Sequence, residues 1–469
     1  MTARGKGLDR KSLALALLCV AQFVNVLDVN VAIVALPSIQ RDLGFSDEDL
    51  QWVVSAYVLL FAGFLLLAGR MADLFGRRRM FMTGLGLFAV ASLVCGLAGS
   101  PAMLLVGRAA QGLGAAITAP AALSIITTIF PEGRERNRAL GVWTAVAAAG
   151  GAAGLVLGGV ITDGLGWEWV FLVNVPIGLL GVALAPLLLA ESRSPAASRQ
   201  VDLAGAVTVT GGLVLLVYGF TRAEEVGFGS YATLITLGLS ATFIIVFLIV
   251  ESRIANPLVP LDVFRSRNLI GASLVAWALT AATTSTAVLS TIYLQRILDY
   301  SAAFSGLAGL PFSLSVIAGA GIGSRLTSRI GARATMVSGL VSIAAGTLLL
   351  GGISAEQGLV YVMVNATLSG LGIGCASVAS TATGTSALGG GEQGLASGLL
   401  NSSAQVGTAL GLAALVTIAA ARTDILAGGD PTPEAIVEGF RWAFYAGAGI
   451  ATAGCLVALF VVGRKGGTA

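Results

Sequence analysis

The amino-acid sequence predicts an all-α integral membrane protein with fourteen transmembrane helices. Three observations carry that prediction. Of 469 residues, 56% are hydrophobic and 11% charged, and the mean hydropathy is +0.90; soluble domains run at roughly 45–50% apolar and about 25% charged. Fourteen apolar runs approach or exceed the ~20 residues a bilayer crossing needs. The basic residues are also segregated. An even number of spans puts both termini on one side, and 21 of the 27 Lys and Arg fall there, with five on the other side and Arg108 inside a helix. That asymmetry predicts cytoplasmic termini.

Composition excludes several classes. The net charge of +3 is too small and dispersed for a nucleic-acid partner, and the absence of histidine removes imidazole ligands, relays and bases. Cys19, Cys95, Cys375 and Cys455 lie in separate apolar runs without a C-x-x-C pair, and read as buried small hydrophobes with no metal site.

The first span, Ser12–Leu36, follows Arg4, Lys6, Arg10 and Lys11 and is too long for a signal peptide. It contains LDVNVAIVALPSI from Leu27, where Asp28 is the only acidic residue placed firmly inside the hydrocarbon. A carboxylate there costs at least ~2.5–3.5 kcal/mol and needs a partner or titrates. Spans two and three, Gln51–Ala68 and Met80–Ala98, flank GRMADLFGRRR, Gly69–Arg79. Gly69 permits close helix approach and Gly76 a tight turn. Asp73 is placed to bridge to a facing helix N-terminus or an arginine, and Arg77, Arg78 and Arg79 hold the loop inside.

The fourth span, Pro101–Phe130, carries RAAQGLGAA and the one intramembrane cation, Arg108. Counted from the outer face, Asp28 and Arg108 both lie roughly 10–12 Å deep. They occupy one layer, either as a coupling pair or as a fixed ion pair. The fifth span, Ala139–Thr162, reads GVWTAVAAAGGAAGLVLGG from Gly141. Its Gly150, Gly154 and Gly158 form an i, i+4, i+8 ridge suited to close packing, flanked by Gly141 and Gly159. The sixth span, Val170–Ala190, is entered through GWEWVFLVNVPIG.

Two further spans, Leu203–Thr221 and Tyr231–Val250, precede the last six: Leu269–Gln295, Ala303–Gly323, Ala334–Gly352, Gly358–Thr381, Gly394–Ala421 and Arg441–Val462. SRLTSRIGAR, Ser324–Arg333, follows the tenth span as GRMADLFGRRR follows the second. Gly331 and the basic residues correspond, and Ser328 stands for Asp73. It is either an internal repeat or one more basic loop. Eight spans separate the two loops, as two six-helix halves (12–190 and 269–463) with an inserted hairpin (203–250) would require. Trp52, Trp167, Trp169 and Trp442 fall at outer helix ends, as an aromatic belt would. Gln111, Gln295, Asn365, Asn401 and Gln405 are candidates either to line a substrate cavity or to hydrogen-bond between helices.

These motifs resemble a known family. GRMADLFGRRR is similar to the signature loop between helices 2 and 3 of the major facilitator superfamily. LDVNVAIVALPSI, RAAQGLGAA, GWEWVFLVNVPIG, YLQRILDYSAAFSGLAGLP (Tyr293–Pro311) and GLASGLLNSSAQVGTALGLA (Gly394–Ala413) resemble stretches of its 14-helix drug:proton antiporters. The fifth-span glycines match the antiporter signature, but Leu155 replaces its kink-forming proline and Glu168 stands where arginine is commoner. The resemblance implies a major facilitator fold that exports amphipathic or aromatic small molecules in exchange for protons. Asp28 and Arg108 would couple protons, and Gly69, Asp73, Gly76 and Arg77 would latch the conformation. The expected setting is a bacterial inner membrane, with a functional monomer whose partners are a small-molecule substrate, protons and the bilayer. No cofactor, metal or enzymatic activity is expected, and no Walker motif appears. The alternatives are a solute importer of the same fold, or a non-transporting scaffold or lipid-handling protein.

Overall fold

A computed structural model describes residues 3–193, 202–227, 229–254, 257–388, 391–427 and 432–463. Arg464 and Lys465, two of the basic residues assigned to the inner side, lie outside the described residues. Fourteen long helices follow in order: α1 Ala3–Leu43, α2 Trp52–Phe75, α3 Arg77–Gly96, α4 Pro101–Ile129, α5 Arg134–Leu165, α6 Asn174–Leu188 and α7 Leu203–Val226. Then come α8 Tyr231–Arg253, α9 Arg267–Arg296, α10 Leu310–Arg329, α11 Ala332–Leu349, α12 Leu359–Ser386, α13 Gln393–Ala427 and α14 Pro433–Phe460. No strand occurs among the described residues. Thirteen helices are long and apolar enough to cross a membrane, and α5 makes a fourteenth when its arms, Arg134–Gly154 and Val156–Leu165 at 41°, count together.

Local chemistry sets the helix ends. Ser100 accepts from Met103 N at 3.3 Å to cap α4 ahead of Pro101, and Thr432 does the same for α14 ahead of Pro433. The cap at Thr432 starts α14 eight residues before the predicted Arg441. The two basic loops share a device: Gly76 and Gly331 adopt φ of +108° and +89° between helix pairs, a conformation only glycine takes without strain.

Two compact units emerge. The first comprises Met1–Glu132, Ala149–Val263 and Leu388–Ser402; the second comprises Gly133–Ala148, Phe264–Ala387 and Ser403–Ala469. In the first, α4 packs against α2 and α3, α3 against α6, and the hairpin α7–α8 lies on α2. A Cβ on Gly63 of α2 would meet Val214 Cγ2 of α7 at 2.3 Å, and Trp52 stacks on Tyr218 with centroids 5.8 Å apart. In the second, α12 is central, against α9, α10 and α11, with α14 covering α9 and α11. Small residues let backbones touch there: a Cβ on Gly374 would lie 2.4 Å from the Val316 carbonyl oxygen.

Burial adds three acids to the one read as buried from the sequence and corrects one expectation. Asp28 is not alone as a buried acid: Asp73 is fully buried within α2, and Asp202 and Glu251 are 7% and 4% exposed at the ends of α7 and α8. Buried Leu258, Val259 and Val263 pack beyond the end of α8, and Glu251 accepts from Val259 N at 3.3 Å. Trp167 is not a belt residue. It is 3% exposed, packs edge-on against Phe171 and donates to Asp42 Oδ2 at 3.0 Å, whereas Trp169 and Trp442 are exposed.

Candidate functional site: a buried ion pair and a helix-end latch

Asp28 and Arg108 meet directly inside the first unit. Both are 0% exposed, and Arg108 Nη1 lies 2.5 Å from Asp28 Oδ2. Three residues on two helices supply the carboxylate's donors. Arg108 and Gln111, one turn apart on α4, give Nη1 and Nε2, the latter 3.0 Å from Oδ1. Asn174 at the start of α6 gives Nδ2 at 2.7 Å, also to Oδ1. All three contacts are donors, so the cage satisfies an ionised Asp28. A protonated carboxyl would set a hydrogen against one of them.

The cage extends outward. Gln111 Nε2 also donates to Ser92 Oγ at 2.8 Å, and its Oε1 accepts from Arg108 Nη1 at 2.8 Å and Cys95 Sγ at 3.3 Å. Gln111 is therefore a buried member of this network, with no exposed surface to offer a cavity. Arg108 Nε donates to the Val53 carbonyl at 2.8 Å, and its guanidinium lies over the rings of Tyr57 and Phe171, 4.7 and 5.5 Å from their centroids. Arg108 Nη2, Asn174 Oδ1 and both polar side-chain atoms of Asn25 are buried without a hydrogen-bond partner. Such orphans are rare and leave the network with unused donor and acceptor capacity.

The fifth-helix glycines line up along the helix that carries Asp28. Cβ atoms on Gly150, Gly154 and Gly158 would come within 2.8 Å of Phe23 O, 2.7 Å of Asn30 Cβ and 3.0 Å of Val34 Cβ. Gly141 packs on α10 within the second unit, where an added Cβ would lie 3.0 Å from Ala320 O. Gly159 would meet nothing within 4 Å, so close packing does not account for it. The side chain of Leu155 lies outside the described residues.

A second cluster, also in the first unit, joins α2 to the start of α13. Asp73 Oδ1 accepts from Gly394 N at 3.0 Å and Oδ2 from Leu395 N at 2.9 Å, a carboxylate on a helix N-terminus. Arg77 holds Asp73 Oδ1 through Nη2 at 2.9 Å and Nε at 3.2 Å, and also reaches Thr128 Oγ1 and Gln393 Oε1. Thr127 and Thr128 donate to that same Gln393 oxygen. Gly69 and Gly394 face each other: a Cβ on either would lie 2.3 Å from the other's carbonyl oxygen. At the turn, Glu191 accepts from Arg78 N and Arg79 N at 3.1 and 3.2 Å, and a Cβ on Gly76 would strike its carboxylate at 2.7 Å.

In the second unit, Ser328 has no comparable role; it accepts from Asn137 Nδ2 at 3.0 Å. Asn365 accepts from Ser369 one turn along its own helix, and Asn401 donates to Ser397 O likewise, so neither bonds between helices. Gln295 and Gln405 are half-buried. The network does not draw any of these four to Asp28.

The Major Facilitator Superfamily model matches residues 18–287 and 272–468. The chain belongs to the major facilitator superfamily. This major facilitator is 41% identical to the puromycin resistance protein pur8 of Streptomyces alboniger, over 92% of this chain and 86% of the relative. It is 40% identical to the cephamycin export protein CmcT of Amycolatopsis lactamdurans, over 90% and 88% of the two chains. The tetracenomycin C resistance and export protein of Streptomyces glaucescens is 34% identical, over 88% and 76%. The fold matches the human organic anion transporter MFSD10 with a TM-score of 0.67 at 14% identity, covering 96% and 99% of the chains. It matches the proton:xylose symporter XylE equally, at 11% identity over 97% of each. The all-α membrane fold expected from sequence is thus that of a multi-pass transporter family.

Proposed function

We propose that this chain exports amphipathic or aromatic small molecules from the cytoplasm in exchange for protons. The observation that carries the reading is the fully buried Asp28–Arg108 pair, caged by Gln111 and Asn174. Relatives named for resistance and export support the direction. An intramembrane carboxylate is expensive, and here it has three donors, one of which a proton would displace. Protonation from outside would release Arg108 toward the orphaned acceptors of Asn25 and Asn174. Deprotonation inside would rebuild the cage. The Asp73–Arg77–Gln393 cluster would act as the latch whose making and breaking separates two conformations. Both termini are placed in the cytoplasm of a bacterial inner membrane, on the strength of the basic asymmetry, with the six-helix halves 12–190 and 269–463 and the inserted hairpin 203–250 in a functional monomer.

The test is reconstitution. Purified protein in proteoliposomes with an imposed pH gradient should drive an aromatic cation or an antibiotic uphill, and Asp28→Asn should abolish the drive. Uptake along the proton gradient, in place of counterflow, would identify an importer.

A further inference from the structure

A cavity of about 1040 Å³ opens in the second unit between the first turns of α5 and the last turns of α10. It is lined at one end by Arg134, Arg138, Arg325 and Arg329, with Glu135 the one carboxylate among them. None of the four guanidinium groups has a hydrogen-bond or ion-pair partner among the described residues. Arg136, between two of them, is instead buried and bound to Ser386 Oγ at 3.1 Å. Like charges crowded around one opening repel, and the arrangement calls for an anion.

The opposite end is different. Val142 and Ala145 on α5 and Ile317 on α10 line it, with glycines between. Ala145 lies eleven residues inside Arg134, and Ile317 twelve inside Arg329. Arg138 and Arg325 lie nearer, seven and eight residues away, so at about 1.5 Å per residue the apolar end is roughly 10–18 Å from the arginines. One leaflet of the hydrocarbon core is about 15 Å deep. The cavity therefore has cations at one end, Asn137, Ser324 and Ser328 between, and a short apolar end within the depth of one leaflet.

We propose that this cavity binds an anionic phospholipid, with the phosphate held by Arg134, Arg138, Arg325 and Arg329 and an acyl chain lying along Val142, Ala145 and Ile317. The planar guanidinium fork suits phosphate oxygens, which it can hold bidentately. Basic pockets between transmembrane helices take phosphorylated head groups by the same chemistry. A free phosphate would satisfy the arginines and leave the apolar end without a role. A zwitterionic lipid would bring its own cation to an opening already carrying an excess of positive charge. The proposal is independent of the direction of transport and of Asp28.

The experiment is native mass spectrometry of the full chain, purified in detergent and titrated with phosphatidylglycerol, phosphatidylcholine or glycerol phosphate. Phosphatidylglycerol should bind at least tenfold more tightly than phosphatidylcholine, and glycerol phosphate should not displace it at equal concentration. The combined Arg134→Gln, Arg138→Gln, Arg325→Gln and Arg329→Gln variant should lose at least tenfold, and the four matching lysine substitutions should retain most of the binding. Ala145→Trp, which fills the apolar end, should weaken long-chain phosphatidylglycerol and spare the dihexanoyl form. If the fourfold glutamine variant does not fold, the Arg325→Gln and Arg329→Gln pair serves the same comparison. Equal binding of the two lipids, unchanged binding by the glutamine variants, or displacement by glycerol phosphate would each overturn the proposal; the last would mark a free-anion site.

Discussion

Replacing Asp73 by Asn should open the latch by a measurable amount. Asp73 is fully buried and receives Gly394 N and Arg77 on Oδ1 and Leu395 N on Oδ2. Asn has one acceptor oxygen. If that oxygen serves Gly394 and Arg77, its NH₂ faces the Leu395 N–H; turned over, it strands Gly394 and Arg77. Either orientation leaves a buried donor unsatisfied, at about 1–3 kcal/mol. It also removes a negative charge from a helix N-terminus, worth up to ~2 kcal/mol in a buried setting. Arg77 keeps Thr128 and Gln393, which limits the loss. We take about 2–3 kcal/mol as the net change, roughly a 30- to 150-fold shift away from the latched arrangement. The assay uses Ser397→Cys on α13, a position fully buried one turn inside the latch, whose hydroxyl bonds Gln393 O at 2.7 Å. The four native cysteines are buried and not disulfide-bonded, so a hydrophilic maleimide should report this site over a low background. Asp73→Asn should raise the labelling rate by roughly the same factor. A rate within twofold of the unsubstituted background would refute the latch.

Other outcomes follow from the same geometry. Asp28→Asn should keep substrate binding but make transport independent of pH between 6 and 8, read as flux in proteoliposomes; persistent uphill export would move the proton site elsewhere. Arg108→Lys should not rescue Arg108→Ala, because an ammonium cannot hold Asp28, Gln111 and Val53 at once as the fork does; equal flux from Arg108→Lys and wild type would contradict this. Gly154→Ala should cost about 1–3 kcal/mol through overpacking against Leu27 O and Asn30, seen as a lowered melting temperature in detergent. A reporter fused at Arg333 should read as cytoplasmic, and an external signal would invert the topology.

Asp28 and Arg108 were legible because each is a lone charge in an apolar run, and counting residues from the span ends placed them at one depth. Asp73 was legible in kind, since its two forecast partners, a helix N-terminus and an arginine, are both present at once. Asn174 was missed, although a polar residue two positions before a proline inside a span is a readable signal. Gln393, Thr127 and Thr128 were not readable. Their role comes from a contact made more than 260 residues apart, which no local pattern encodes. Asp202 and Glu251 were not singled out; they are buried at helix ends, and Glu251 accepts from Val259 N of the segment beyond α8, a contact no local pattern encodes. Trp167 shows the converse failure, a residue at a helix end whose neighbours happen to close over it.

The glycine ridge of α5 makes α1 lie on a surface with almost no side-chain relief. Helices locked by interdigitated knobs must climb out of their holes to move, but a rail of bare backbone offers no such teeth. Axial slip of α1 therefore meets its resistance elsewhere, in its packing on α2, α4 and α6 and in the bonds at Asp28. A step of one ridge repeat, four residues, is about 6 Å, far beyond the reach of contacts of 2.5–3.0 Å. The cage thus adds polar bonds to the packing of α1 on α2, α4 and α6, and an Ala at position 154 would add a steric stop that no change of charge could lift.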